Sequence, residues 1–160
     1  MWALCGLLLV AGAPALAATM SGVVIVVIDG DTVLFKPDHY RAASRAFLKI
    51  RLADIDAPEK DQPYGEAATR ALTALLLKQQ VVVEPVAVDA YGRTIARIQM
   101  NAVQVDTELV RRGLAWARSR SRPDLKTAQR EAQLARRGVW QDAEPVPPWT
   151  WRREYSAIAH

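Results

Sequence analysis

"VVIVVIDGDTVLF", Val23 to Phe35, is the stretch on which the fold turns. Two β-branched runs, Val23–Ile28 and Thr32–Phe35, flank Asp29-Gly30-Asp31, and Asp-Gly between such runs signals a hairpin or a bulge. Downstream, Lys36–Ala46 is a polar loop and Phe47–Ile55 a third strand. Asp56-Ala57-Pro58 breaks that strand, since proline has no N–H to give a central ladder. "YGEAATRALTALLLK", Tyr64 to Lys78, places Ala68, Ala71, Leu72, Leu75 and Leu76 on one helical face. "QVVVEPVAV" follows as a strand that Pro85 bends or confines to an edge. Tyr91-Gly92-Arg93 forms a turn into the strand "TIARIQM", and "AVQVDTELVRRG" is a helix stopped by Gly113. "SRPDLKTAQREAQLARRG" is another, with Ser121 as N-cap, Pro123 just inside, Gly138 past the end, and a buried stripe of Leu125, Ala128, Ala132 and Ala135. The proline-rich tail, "QDAEPVPPWTWRREYSAIAH", reads as irregular.

Five short strands, one interposed helix and two later ones predict an α+β fold, a five-stranded Greek-key barrel of the OB type with three α-helices. A chain of 160 residues suits one domain, long enough for a core without disulfide staples. We divide it into a leader (1–17), the barrel domain (18–142) and a Pro/Trp-rich tail (143–160). The leader has an apolar run, Leu4–Ala11, then small residues at Ala15 and Ala17, the form of a cleavable secretory signal. No Lys or Arg precedes the run. The segment is too short and too broken by Gly and Pro to span a membrane. The expectation is a secreted or periplasmic protein with no membrane attachment once mature.

Composition removes several chemistries. The single cysteine, Cys5, lies in the leader, so the mature chain has no disulfide framework and no thiol nucleophile. The two histidines, His39 and His160, are too far apart in sequence to suggest zinc, and no Ser-His-Asp or Cys-His set can be assembled. The net charge of +4 favours polyanionic partners weakly. Its excess is arginine placed late in the chain, at Arg111-Arg112, Arg118 to Arg122, Arg136-Arg137 and Arg152-Arg153, and most of these read as solvated surface.

The chemistry concentrates at strand ends. Asp31 closes the first turn, Asp56 closes the third strand, and Glu59 follows the proline turn. Taken singly, the aspartates read as turn caps. Arg51, between Ile50 and Leu52, reads as a buried partner of Asp54 or Glu59, and Arg93 as a surface turn residue. Together they supply what phosphoryl transfer needs: cations for the equatorial oxygens, a group to position or deprotonate water, and oxygen ligands for a hard divalent ion.

The motifs "VIDGDTV", "IRLADIDAPE", "YGEAA", "DAYGRTIARI" and "ELVRRGLAW" together resemble the staphylococcal nuclease family over about Val23 to Trp140. The resemblance implies the OB barrel with three helices and Ca²⁺-dependent hydrolysis of DNA and RNA, with little sequence specificity, to 3′-phosphate products. It implies that Asp31, Asp56 and the backbone carbonyl of Ala57 hold the ion. It makes Arg51 and Arg93 the phosphate-binding arginines and Glu59 the residue that accepts the water's proton or holds the water in line. Asp29 and Thr32 stand behind these, Tyr91 and Tyr64 are candidate substrate aromatics, and a monomer is expected. The alternative is a weak or inactive OB module that binds nucleic acid or a protein partner. Relatives that lose catalysis usually lose the glutamate or an arginine, and this chain keeps all three.

The chain also departs from the family pattern. The loop from Glu59 to Tyr64 is shorter, the loop from Lys36 to Ala46 longer, and Asp54 stands where glycine is common. Ala90 replaces the lysine before "YGR". The family uses tyrosines after "GLA" to hold the base, whereas "GLAWARSRSR" offers Trp116, read here as core. Arg118, Arg120 and Arg122 are the residues expected to offset that loss along the phosphate backbone.

Overall fold

The computed structural model describes residues 18–41 and 46–155. The leader, its Cys5 and His160 lie outside the described residues.

The Asp-Gly turn joins two strands, β1 (Met20–Val27) and β2 (Thr32–Pro37), paired antiparallel with a bulge between Val24 and Val26. The Ile28 N–H donates to the Thr32 carbonyl at 2.8 Å to close the turn. Gly30 is needed for room. A Cβ there would lie 2.8 Å from the Cβ atoms of both Ala57 and Ala68, so the turn lies directly against the strand end and helix that follow.

β2 pairs antiparallel with β3 (Leu48–Leu52), and β1 pairs antiparallel with β5 (Gln80–Val88), which pairs antiparallel with β6 (Thr94–Met100). A parallel pairing of β3 with β6 closes these five strands into a barrel. Closure removes the unpaired edges that open sheets leave for aggregation. Pro85 is tolerated because it lies beyond the residues of β5 that pair with β1, and a bulge follows it between Pro85 and Ala87. Phe35, Ile50, Leu52 and Ile98 fill the barrel interior without exposure.

The third strand is shorter than its apolar pattern suggests. β3 stops at Leu52, and Asp54 takes a left-handed φ of 63°, which Asp tolerates better than most residues. A two-residue strand, β4 (Ile55–Asp56), then pairs with β8 (Trp116–Ala117) outside the barrel. That pairing sets Asp56 opposite Trp116. Trp116 itself is buried, 5.5 Å from the Trp140 ring.

Among the described residues there are four α-helices, where the sequence suggests three. α1 (Gly65–Leu76) buries Ala68, Leu72 and Leu76 at successive i, i+4 positions, with Ala71 and Leu75 packed at their margin. α2 (Val105–Arg111) is shorter than the motif around it. Asn101 and Ala102 turn with φ of 47° and 65°, and the two-residue β7 (Val103–Gln104) pairs back onto β6 before the helix starts. α3 (Pro123–Leu134) buries Leu125, Ala128 and Ala132; Ala135 is its exposed C-cap and not part of the stripe. Its N-cap is Arg122 without a side-chain cap bond, and the buried Ser121 hydroxyl has no partner, so Ser121 does not cap the helix. The described part of the tail, up to Tyr155, is not irregular. A 3-10 turn over Gly138–Gln141 leads into α4 (Pro148–Tyr155), with Pro148 as its first residue, where a missing N–H removes no helical bond. Among the described residues no helix is long and apolar enough to cross a membrane.

Candidate active site

Three separated segments meet at one end of the barrel: the β1–β2 turn, the β3–β4 corner running to α1, and the β5–β6 turn. They line a solvent-open hollow of about 630 Å³ that contains Asp31, Arg51, Asp56, Ala57, Glu59, Tyr91 and Arg93. Each side chain is aimed by local backbone. β2–β3 pairing places Thr32 opposite Arg51, and the Leu52 N–H donates to the Asp31 carbonyl at 2.8 Å. The Ala57 N–H donates to Asp31 Oδ2 at 3.1 Å, tying the two strand ends together. Asp31 Oδ1 accepts from the Thr32 hydroxyl at 2.9 Å, and Asp29 Oδ1 accepts from the Asp31 N–H at 3.0 Å.

Arg51 is buried, as its apolar neighbours require, but its partners are Asp31 and Asp56, not Asp54 or Glu59. Its Nη2 lies 2.7 Å from Asp56 Oδ1 and 3.2 Å from Asp31 Oδ2. Its Nη1 donates to the carbonyls of Leu52 and Ile55 at 3.3 and 3.1 Å. Even so, burial drives the Asp31 carboxyl up from 3.8 to about 6; Arg51 and the Ala57 N–H oppose the shift, while Asp29 and Asp56 add to it.

Glu59 is held through its backbone. Its N–H donates to Gln62 Oε1 at 3.0 Å, and its carbonyl accepts from the Gln62 N–H at 3.0 Å. Gly65, the first residue of α1, presses on the same carbonyl, since a Cβ there would meet it at 1.8 Å. Arg93 reaches the hollow from the β5–β6 turn, with Nε 2.7 Å from Asp89 Oδ2 and its guanidinium 5.6 Å from the centre of the Tyr91 ring. Partial burial pushes the Asp89 carboxyl up. Hydrogen bonds from the Arg93 backbone and side chain and from the Tyr91 N–H outweigh this and hold it below its ordinary value.

Tyr91 is exposed on the rim. Tyr64 is elsewhere: it caps α1 with a φ of 68° and lines a smaller crevice with Gln62, Trp116 and Trp151, so it does not share the hollow. Asp54 borders the hollow, but it faces Arg97 at 3.3 Å and Arg122 at 3.7 Å. Arg122 also binds Asp106 and Asp124, each at 3.1 Å, and so is engaged structurally. Arg118 does line the hollow.

Sequence reasoning missed one member. Arg152 of α4 donates through Nη2 to Asp56 Oδ2 at 2.7 Å, and through Nη1 to Asp56 Oδ1 at 3.3 Å and to Glu59 Oε1. Its hydrogen bond to Asp56 raises its already high pKa, with burial opposing and Glu59 adding. The lining then sets six carboxylates, Asp29, Asp31, Asp54, Asp56, Glu59 and Asp89, against four guanidiniums, Arg51, Arg93, Arg118 and Arg152. Among the described residues no three His, Cys, Asp or Glu side chains close around a metal position. Two aspartates and a backbone carbonyl are what the hollow offers.

Comparison with known proteins agrees with this geometry. Residues 49–142 match the family model described as "Staphylococcal nuclease homologue". An Escherichia coli O157:H7 protein named "Uncharacterized endonuclease" is 39% identical over 142 residues, covering 87% of this chain and 89% of its own. The Escherichia coli "Protein ParB" is 36% identical over 159 residues, covering 91% and 86%. A Shigella flexneri "Micrococcal nuclease" is 34% identical over 149 residues, covering 85% and 82%. With the barrel, the converging side chains and these matches together, the chain belongs to the staphylococcal nuclease family.

Proposed function

We propose that this protein is a Ca²⁺-dependent phosphodiesterase that hydrolyses DNA and RNA with little sequence preference and leaves 3′-phosphate ends. The observation that carries this reading is the hollow's charge. Apart from Asp54, which pairs with Arg97 and Arg122, a site meant for a polyanion has five carboxylates against four guanidiniums, and one of those carboxyls, Asp31, is pushed up to about 6 by burial. Such a site admits a phosphodiester only when a further cation joins it.

The donor set fits a hard divalent ion. Asp31, Asp56 and the Ala57 carbonyl are all oxygen donors, and three protein donors leave positions for water and substrate, as Ca²⁺ tolerates. When bound, Ca²⁺ supplies charge neutralisation and polarisation of a phosphoryl oxygen. The chain's own residues do the rest. Glu59 accepts the attacking water's proton or holds that water in line. Arg51 and Arg93 donate to phosphoryl oxygens as their charge grows, which is worth roughly 3–4 kcal/mol of barrier per preorganised donor. Tyr91, on the rim beside Arg93, meets the nucleotide. The form of the first 17 residues supports export to the periplasm or outside the cell, and the protein is proposed to act as a monomer.

The deciding experiment follows cleavage of single- and double-stranded DNA and of RNA by the chain from Ala18 to His160 across a Ca²⁺ titration, then in excess EGTA. Saturable Ca²⁺ activation with 3′-phosphate ends is expected. Cleavage that persists in EGTA removes the metal from the reading. Tight nucleic-acid binding without cleavage turns the assignment to a binding module.

A further inference from the structure

Arg152 reaches the hollow from a helix that lies outside the barrel, 96 residues beyond Asp56. α4 is fixed in place: Pro148 is buried, Gln62 Nε2 donates to the Val146 carbonyl at 2.6 Å, and Trp151 lines the crevice beside Trp116. Trp151 also stacks on Tyr155 at 4.0 Å. Among the described residues the adjacent Arg153 makes no ion pair, whereas Arg152 makes two, so the contact belongs to one residue and not to a diffuse basic tail.

The geometry makes Arg152 and a metal ion rivals. Arg51 Nη2 occupies Asp56 Oδ1 at 2.7 Å and Arg152 Nη2 occupies Oδ2 at 2.7 Å. Oδ2 keeps a second lone pair, but a divalent ion bound there would sit beside the Arg152 guanidinium, and the repulsion between the two cations drives Arg152 off Asp56. The same guanidinium holds Glu59, which must be free to handle water. Once displaced, Arg152 stays tethered beside the hollow by α4, where a phosphoryl oxygen is the anion best placed to receive it. Arg152 has 43% of its side chain open to solvent, so it can turn to such an oxygen without leaving α4.

We propose that Arg152 is a third substrate-binding arginine. It holds Asp56 and Glu59 when no ion is bound and turns to the substrate phosphate when a divalent cation takes Asp56. The proposal rests on the calcium reading above. It makes the last helix part of the active site and ties ion binding to release of Glu59.

Calorimetric titration with CaCl₂ alone, without nucleic acid, tests the first half on wild type, Arg152→Gln and Arg153→Gln. Arg152→Gln should bind Ca²⁺ about tenfold more tightly, the scale of one charge-assisted pair at a half-exposed position, and Arg153→Gln should match wild type. At saturating Ca²⁺, Arg152→Gln should raise KM for a single-stranded oligonucleotide about tenfold, with a smaller change in kcat. Trp151→Ala, which loosens α4 but keeps the arginine, should move both quantities in the same directions. Unchanged or weaker Ca²⁺ binding by Arg152→Gln overturns the proposal, as does an unchanged KM. A wild-type chain that binds no Ca²⁺ refutes the calcium reading itself and this proposal with it, so the two failures are distinguishable.

Discussion

Asp31→Asn should stabilise the metal-free protein while abolishing its activation by Ca²⁺. In the fold the carboxyl is raised from 3.8 to about 6, chiefly by burial. A carboxyl with a raised folded value contributes stability below its unfolded pKa and loses it as pH climbs through the folded one. The wild type therefore loses stability between pH 4 and 6. Roughly two units at about 1.4 kcal/mol each make that loss about 3 kcal/mol above pH 7, an upper figure. Asparagine imitates the protonated form. Its oxygen can take the Oδ2 position, accepting from the Ala57 N–H and facing Arg51, while its NH₂ donates to the Thr32 hydroxyl, which can reverse its role. Urea unfolding in EGTA should show the variant about 1–3 kcal/mol more stable than wild type at pH 8, with a gap that closes towards pH 4. A variant less stable than wild type at pH 8, or a gap independent of pH, would show that Asp31 is not an under-compensated buried charge and would remove the main physical reason for a cation there.

Three further outcomes follow from the same geometry. Glu59→Gln should lower kcat by a factor of roughly 10²–10⁴ while the thermal midpoint stays within a few degrees, because Glu59 is held by its backbone; an undiminished kcat would exclude Glu59 from water handling. Ca²⁺ affinity, measured calorimetrically, should weaken about tenfold per pH unit below about pH 6, because Asp31 must lose its proton before it can bind an ion; a flat profile from pH 7 to 5 would count against Asp31 as a ligand. Gly65→Ala should lower both stability and kcat, since its Cβ meets the Glu59 carbonyl at 1.8 Å and must push that residue aside; activity assays and melting curves on the variant check both effects, and an unchanged kcat would mean that the position of Glu59 is not set from α1.

The features legible in the sequence are those with a short-range cause. Strand periodicity over Val23–Phe35, the Asp-Gly turn, the helical spacing of Ala68, Leu72 and Leu76, and a break in regular pairing at Pro85 each follow from a few neighbouring residues, and the barrel follows from their order. Asp31, Arg51, Asp56, Glu59 and Arg93 could be grouped because each sits where a strand ends or a turn begins. What escaped depends on contacts between distant segments. Nothing local says whether Arg51 pairs with Asp54 three residues away or with Asp31 twenty back; the left-handed turn at Asp54, which points that carboxylate at Arg97 and Arg122, decides it. Tyr64 and Tyr91 look equivalent in sequence, yet the cap of α1 turns one of them into the neighbouring crevice.

The tail shows the limit most clearly, and also the clue that was there to use. α4 is polar around most of its circumference, so it has no apolar stripe to announce a helix, and three prolines argue for irregular chain. In the fold they precede or begin the helix, where they cost no helical hydrogen bond. Charge was the usable signal. Besides Asp54, which pairs with Arg97 and Arg122, the lining brings five carboxylates, with Asp31 and Asp56 buried, together with Arg51, Arg93 and Arg118, a deficit that a buried strand end does not tolerate unaided. A further guanidinium had to come from elsewhere, and among the late arginines Arg152 and Arg153 stand on a segment carrying tryptophans able to pin it down. Two buried carboxylates, Asp31 and Asp56, against the one buried guanidinium of Arg51 call for a further cation, and the chain supplies it as Arg152.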